Sequence, residues 1–202
     1  MSPIIFTTQQ SLILASASPR RQQLLQELGI EFSTVSADID ETPIFGESPT
    51  DFARRMAQDK AKKVAATNSA SLIIGADTVV ALQDGIILGK PENPDAAVSM
   101  LQQLNNKTHI VMTGLCLCHL DTGYEKTIVE KTEVTFLNNS LELIRAYVKT
   151  EEPLDKAGSY GIQGLGTILI KSIKGSCTNV IGLPVSQLTT LLLAKNVIEP
   201  VL

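Results

Sequence analysis

Apolar and polar positions along the chain follow two rhythms. Residues 12–15 are a short apolar run that reads as a buried strand, broken at Ser16, Ser18 and Pro19, a cap with proline at the first helical position. Leu24, Leu25 and Leu28 then recur at helical spacing up to Gly29, and residues 32–37 read as the next strand. Beyond a loop through Asp40, Glu41 and Gly46, Ser48-Pro49-Thr50-Asp51 resembles a capping box opening a long helix with Phe52, Met56, Ala57, Ala61, Val64 and Ala65 on its apolar face. Residues 72–82 are β-branched and apolar enough to be a strand buried on both faces, and Gln83-Asp84-Gly85 turns it into a hairpin with residues 86–88.

In the second half, Asn93-Pro94 starts a helix carrying Ala97, Met100, Leu101 and Leu104. Two long strands are expected over residues 109–120 and 127–136, joined near Asp121-Thr122-Gly123. Ser140 caps a helix with Leu141, Ile144, Tyr147 and Val148 on one face. A glycine-rich loop over 158–166, a hairpin turning near Lys174-Gly175 and a last helix over about 184–195 complete the pattern. Helices and strands alternate early and hairpins dominate later, which predicts an α/β fold with a mixed central sheet flanked by helices.

At 202 residues, the chain is expected to be a single α/β domain over 1–202, with room for two lobes sharing a sheet. Its 44% hydrophobic and 19% charged residues are those of an ordinary globular protein. No window is long and apolar enough for a membrane span, and the first ten residues lack the basic and apolar regions of a signal peptide, so a cytoplasmic location is expected. Cys116, Cys118 and Cys177 form no even disulfide framework, and free thiols in a reducing compartment follow. The net charge of -4 argues against nucleic acid as the main partner, so an anionic ligand must be met by a local cluster of cations.

Two places break the local rules. Arg20 and Arg21 fall in the first turn of a helix, where the backbone dipole disfavours cations by roughly 0.3 to 1 kcal/mol each. Either both side chains bend into solvent, or a phosphate bound at the helix start makes the arrangement favourable. Asp77 sits inside Leu72-Ile73-Ile74-Gly75-Ala76-Asp77-Thr78-Val79-Val80, where an ionised carboxylate needs an ion-pair partner or a metal. A structural ion pair and a site role are the two readings, and Gly75 allows close approach of a backbone or a ligand.

Glu41 could join Asp77 around a hard cation, while alone it reads as a solvated acid. Lys60 and Lys90 alone read as surface lysines, with Lys90 the better candidate because Gly89 and Pro91 fix its loop. Gly161-Ile162-Gln163-Gly164-Leu165-Gly166 has the wrong order for a dinucleotide fingerprint and precedes a strand. A glycine-rich loop with one Gln suits recognition of a base edge as well as it suits a plain bulge. His109 and His119 lack metal-ligand spacing, Cys116 and Cys118 are simplest as core, and neither a nucleophile elbow nor a P-loop is present.

Taken together these segments resemble the Maf-type nucleoside triphosphate pyrophosphatases. The resemblance spans nearly the whole chain. It rests on Leu14-Ala15-Ser16-Ala17-Ser18-Pro19-Arg20-Arg21, Lys60-Ala61, Gly75-Ala76-Asp77-Thr78-Val79-Val80 and Leu88-Gly89-Lys90-Pro91. It continues through Glu152-Pro153-Leu154-Asp155-Lys156-Ala157-Gly158, Tyr160-Gly161-Ile162-Gln163-Gly164 and Gly182-Leu183-Pro184. Asn105-Asn106 stands where the family often has Ser-Gly, and Cys177 where an aromatic is common after Gly-Ser.

The resemblance implies an α/β fold in two lobes with an active-site cleft between them, and hydrolysis of the α-β phosphoanhydride with a divalent cation, Mg2+ or Mn2+. By position, Asp77 matches the proton acceptor. Ser16, Arg20, Arg21, Lys60 and Lys90 match phosphate-binding residues, and Glu41 with Asp77 the metal site. Arg20, Thr78 and Gln163 match positions that separate substrate subfamilies, and Thr78 with Gln163 looks like the subgroup acting on dTTP and UTP. The same reaction on 7-methyl-GTP and a non-catalytic nucleotide-binding regulator of division are the alternatives. A nucleoside triphosphate partner, no membrane and no nucleic acid are expected, with a homodimer among the oligomeric states left open.

Overall fold

The computed structural model describes residues 5–201. Residues 1–4, part of the stretch read above as lacking a signal peptide, and residue 202 lie outside the described residues. In chain order the elements are β1 (Phe6–Thr8), β2 (Leu12–Leu14), α1 (Pro19–Glu27), β3 (Ser33–Thr34), α2 (Pro49–Ala65), β4 (Leu72–Ala81) and β5 (Ile87–Leu88). They continue with α3 (Pro94–Leu104), β6 (Thr108–His119), β7 (Tyr124–Phe136), α4 (Leu141–Val148), β8 (Ile170–Lys174), α5 (Cys177–Ile181), α6 (Val185–Ala194) and β9 (Ile198–Pro200). Three 3-10 turns, Glu152–Asp155, Ala157–Ser159 and Gly164–Leu169, lie between α4 and β8.

Seven strands form one mixed sheet in the order β3-β2-β4-β6-β7-β8, with β5 paired to β4. β2 runs parallel to β3 and β4, whereas β4 with β5 and β7 with β8 are antiparallel. The mixed α/β architecture is the expected one. Contacts divide the chain into two compact units, one of residues up to Asp77, Thr113–Glu130 and Gly182 onward, the other of Thr78–Met112 and Lys131–Ile181.

Each unit has its own core. In the first, Ile13, Ala15, Ala57, Ala61, Val64, Ile73, Cys116 and Cys118 are buried together, which makes Cys116 and Cys118 the core residues their spacing suggested. In the second, Val80, Leu101, Leu104, Val134, Phe136, Ile144, Tyr147 and Tyr160 are among the packed side chains, and α3 packs on α4.

The helix starts follow from their caps. Ser48 Oγ accepts from the Asp51 N–H (3.1 Å), Asn93 Oδ1 from Ala96 (2.8 Å) and Ser140 Oγ from Leu143 (3.3 Å). β4 is buried along its length except at Asp77 and Thr78, which are half-buried. The polar interruption read in the sequence is therefore also the place where that strand opens.

Two expectations change. The chain does not form a hairpin at Lys174-Gly175: β8 pairs back with β7, and after Gly175 the chain enters α5. The reason is a serine cap and a close fit, since Ser176 Oγ accepts from the Asn179 N–H (3.2 Å) and a Cβ on Gly175 would lie 2.8 Å from Thr132 Oγ1. The expected strand over 32–37 shrinks to Ser33–Thr34 at the sheet edge, with both residues exposed. The β1 and β9 pair was not foreseen, because strands of three residues carry too little alternation to be read. At the Ser-Gly departure, Asn106 adopts φ 53°, the left-handed conformation that Gly or Asn tolerates, so the change keeps the backbone.

His109 is structural. Its Nε2 lies 2.7 Å from Tyr160 Oη, and its ring meets Phe136 and Tyr160 edge-on at centroid separations of 5.1 and 5.3 Å. Burial pushes its pKa down from 6.5 to about 4. Because the folded value is the lower one, the stabilisation is complete above pH 6.5 and is lost as pH falls toward 4, an amount on the order of 3 kcal/mol. We expect the His109 C2–H resonance to show no titration between pH 7 and 5. A midpoint near 6.5 in that titration would contradict the assignment.

Candidate active site

β2 and β4 run parallel with Leu14 opposite Ile74, and Ala15 N–H extends the ladder to Ile74 O (2.8 Å). Continuing that register sets Ser16 level with Ala76, one residue before Asp77. The carboxyl ends of adjacent parallel strands, followed by a helix start, are where open α/β sheets bind ligands. Here β2 leads through Ser16 into α1.

Ser16 Oγ accepts from the Ser18 N–H (3.2 Å) and from Arg21 Nη1 (3.1 Å), so it ties the turn together and leaves Ser18 as a cap without a side-chain bond. Arg21 is buried, and its Nε donates to Gly182 O (2.8 Å). Burial lowers the pKa of its guanidinium, while the charge of Asp77 opposes that, Arg20 adds to it and Glu41 opposes it again. Arg21 stays charged, as arginine does in proteins, and its surroundings are those of a cation held among anions. Arg20 is half-buried beside it.

Helix α2 brings the third cation. Lys60 is 8% exposed, and its Nζ lies 2.7 Å from Asp77 Oδ1 and 2.7 Å from Glu41 Oε1. This geometry requires the helix backbone to press on the sheet. A Cβ on Gly75 of β4 would lie 2.2 Å from Ala57 O and 2.8 Å from Ala61 N, and one on Gly114 of β6 would lie 2.1 Å from Ala53 O. The approach inferred from Gly75 is thus the approach of α2, one turn of which carries Lys60.

The loop bearing Glu41 is pinned to the same helix. Arg55 makes a fork to Glu47, Nε to Oε1 at 2.7 Å and Nη2 to Oε2 at 2.6 Å, and donates to Thr42 O (3.1 Å). The Glu41 side chain keeps 56% exposure, whereas that of Asp77 keeps 13%. One carboxylate is open to solvent and the other is largely covered.

Five of the nine candidates, Ser16, Arg21, Glu41, Lys60 and Asp77, therefore converge within the first unit, which also holds Arg20, the neighbour of Arg21 in α1. Thr78, Lys90 and Gln163 belong to the second unit. There Thr78 follows Asp77 on β4. Lys90 is exposed on a loop whose Gly89 O accepts the Gly158 N–H (3.0 Å) and whose Pro91 is buried, and Gln163 is exposed between Gly161 and Gly164. The Gly182 carbonyl and the Arg55–Glu47 clamp were not read as site parts. Gly182-Leu183-Pro184 was visible as a motif, but nothing in the sequence tied it to Arg21.

Three cations against two carboxylates leave the cluster one positive charge in a protein of net charge -4. Such a group suits a polyanion. Among the described residues no three or more His, Cys, Asp or Glu side chains converge as a metal site. The acids that do meet are the pair on Lys60, and an all-oxygen pair fits Mg2+ or Mn2+, which binds through one or two carboxylates, waters and substrate phosphates.

Replacing Gly75 by Ala should cost about 1 to 3 kcal/mol or more, because the atom in the way is a helix carbonyl that cannot move alone. Urea unfolding measures this. A loss below about 0.5 kcal/mol, the scale of a surface substitution, would show that α2 is not seated as described.

Residues 11–195 match the model of the family described as Maf-like protein. The dTTP/UTP pyrophosphatase of Nitratidesulfovibrio vulgaris (strain Hildenborough) is 48% identical over 195 residues, covering 96% of this chain and 92% of that one. The dTTP/UTP pyrophosphatase of Syntrophus aciditrophicus (strain SB) is 45% identical over 178 residues, covering 88% and 86%. That of Bacillus cereus (strain AH820) is 45% identical over 188 residues, covering 93% and 97%. Among the described residues, no helix is long and apolar enough to cross a membrane.

Proposed function

Because the chain belongs to the family of Maf-like proteins, we infer that it is a dTTP and UTP pyrophosphatase, releasing pyrophosphate and the nucleoside monophosphate. The observation that carries this reading to particular residues is the Lys60 ammonium shared by Asp77 and Glu41, beside Arg21. Hydrolysis here needs a water in line with the α-phosphorus and charge neutralisation on the departing pyrophosphate, and both are matters of positioning and electrostatics.

Asp77 is the general base. Lys60 holds its Oδ1, fixing the carboxylate in one orientation, and the other oxygen takes the proton as water attacks phosphorus and the α-β bridging bond breaks. Arg20, Arg21 and Lys60 neutralise the phosphates, with Ser16 holding Arg21 in place, and Lys90 is a further phosphate-binding residue by its match to the family. Glu41 and Asp77 would hold a Mg2+ or Mn2+ ion, which supplies Lewis-acid stabilisation of phosphate charge. Gln163 offers a donor and an acceptor to the uracil or thymine edge, and Thr78 and Arg20 complete the substrate filter. The buried free thiols Cys116 and Cys118 fit a reducing cytoplasm, where the substrate is a free nucleotide and not a nucleic acid.

A nucleotide panel with added Mg2+ or Mn2+, followed by pyrophosphate release, tests the substrate assignment. Faster turnover of a purine triphosphate, 7-methyl-GTP included, than of dTTP and UTP would overturn it. Asp77→Asn should lower kcat by about 10²- to 10⁴-fold while the protein stays folded, the usual effect of losing a positioned base. Pyrophosphate release near the wild-type rate would remove Asp77 from that role.

A further inference from the structure

The residues around Gln163 are held by an arrangement that the hydrolytic mechanism does not use. Glu152 opens the 3-10 turn after α4, and its carboxylate faces back across the glycine-rich loop. Oε2 accepts from the Leu165 N–H (2.9 Å), and Oε1 accepts from the Gly166 N–H (3.1 Å) and from the hydroxyl of Tyr147 (3.0 Å). Tyr147, 2% exposed on α4, in turn accepts the Gly161 N–H at 3.3 Å. One carboxylate and one phenol thus take backbone N–H groups from both sides of Gln163.

The glycines of the loop belong to the same device. Gly164 has φ +75°, and a Cβ there would lie 2.8 Å from Glu152 Oε2; one on Gly166 would lie 2.3 Å from Gly161 O. They permit the backbone to close on the carboxylate, which accounts for a spacing that is wrong for a dinucleotide motif. Burial alone would push the Glu152 carboxyl up, but the N–H groups of Leu165 and Gly166 and the Tyr147 hydroxyl outweigh it and hold it below its ordinary value. The clamp is therefore a set of charge-assisted bonds, the stronger kind. Lys156 closes the base of the segment, with Nζ bound to Glu152 O and, at 2.7 Å, to Asp155 Oδ1.

We propose that Glu152, acting through Leu165, Gly166 and Tyr147, is the positioning residue for base selectivity: its clamp presents Gln163 to the pyrimidine edge in one fixed geometry. The proposal rests on the function inferred above, in which Gln163 reads the base. An exposed glutamine between glycines discriminates only if its backbone is already ordered, because a mobile loop spends the binding energy of the base contact on its own ordering.

The test uses Glu152→Gln in the full chain, with Glu151→Gln, an exposed neighbour carrying the same charge change, as control. In Glu152→Gln an NH2 or a neutral oxygen replaces each charged acceptor, and we expect KM for dTTP and UTP to rise about ten-fold while kcat changes less than about three-fold. The kcat/KM of dCTP and dGTP should move little, so the preference narrows. Tyr147→Phe, which keeps the buried ring, should give the same pattern at smaller size and serves if Glu152→Gln does not fold. Amide hydrogen exchange over residues 161–166 should quicken in both variants and stay unchanged in Glu151→Gln.

Unchanged KM and unchanged preference in a folded Glu152→Gln protein would overturn the proposal, as would an equal fall in kcat for every nucleotide at constant KM. A wild-type protein without preference for dTTP and UTP would instead refute the inferred function. In that event the exchange measurement still decides the clamp, and unaltered protection in both variants would refute it.

Discussion

An ammonium ion taken out of water must find anions at hydrogen-bond distance, and Lys60 finds two, Asp77 and Glu41, each at 2.7 Å. Much of the first unit follows from meeting that requirement. α2 must lie against the sheet for the side chain to reach β4, so the sheet carries glycine at 75 and 114 and the helix carries alanine at 53, 57 and 61. The loop of Glu41 must return to the same helix, and the Arg55–Glu47 fork brings it there. Arg21 sits in the field of the same two carboxylates, with its guanidinium bound by the Ser16 hydroxyl and the Gly182 carbonyl.

The second unit solves a related problem with the opposite charge. Glu152 is partly withdrawn from water and satisfied by backbone N–H groups and a phenol, and the consequence is an ordered loop. In both units a charged group orders a loop that carries a candidate side chain, Glu41 in one and Gln163 in the other. Charge-assisted bonds suit this use, because they are directional and cost little further reorganisation once made.

How much of this the sequence disclosed depends on the range of the interactions. Caps at Ser48, Asn93 and Ser140 are local and were readable, as was Asp77, because a carboxylate in an apolar strand conflicts with its neighbours. The two arginines in the first turn of α1 were an anomaly of the same kind. Their resolution was not local: Arg21 meets a carbonyl 161 positions away, and Lys60, unremarkable on its helix, acquires its role only when Gly75 lets α2 approach. The strand pair β1 and β9 joins the two ends of the described chain, and no short-range pattern records such a pairing. The Lys174-Gly175 turn failed for a different reason, because Ser176 and Asn179 form a helix start where a hairpin was expected.

The charge distribution bears on what kind of anion the protein takes. A net charge of -4 repels polyanions at long range, while the cluster of Arg20, Arg21, Lys60, Glu41 and Asp77 is positive by one charge. A nucleic acid presents phosphates on either side of any one it places in such a site, and these meet the acidic remainder of the surface. A free nucleotide carries its charge at one end only, so the local excess acts on all of it and the surrounding repulsion on none of a continuing chain. On the function proposed above, gathering cations around Lys60 and Arg21 favours a short polyphosphate, and the neutral amide proposed to read the base, that of Gln163 on its clamped loop, leaves the choice of base to hydrogen bonds.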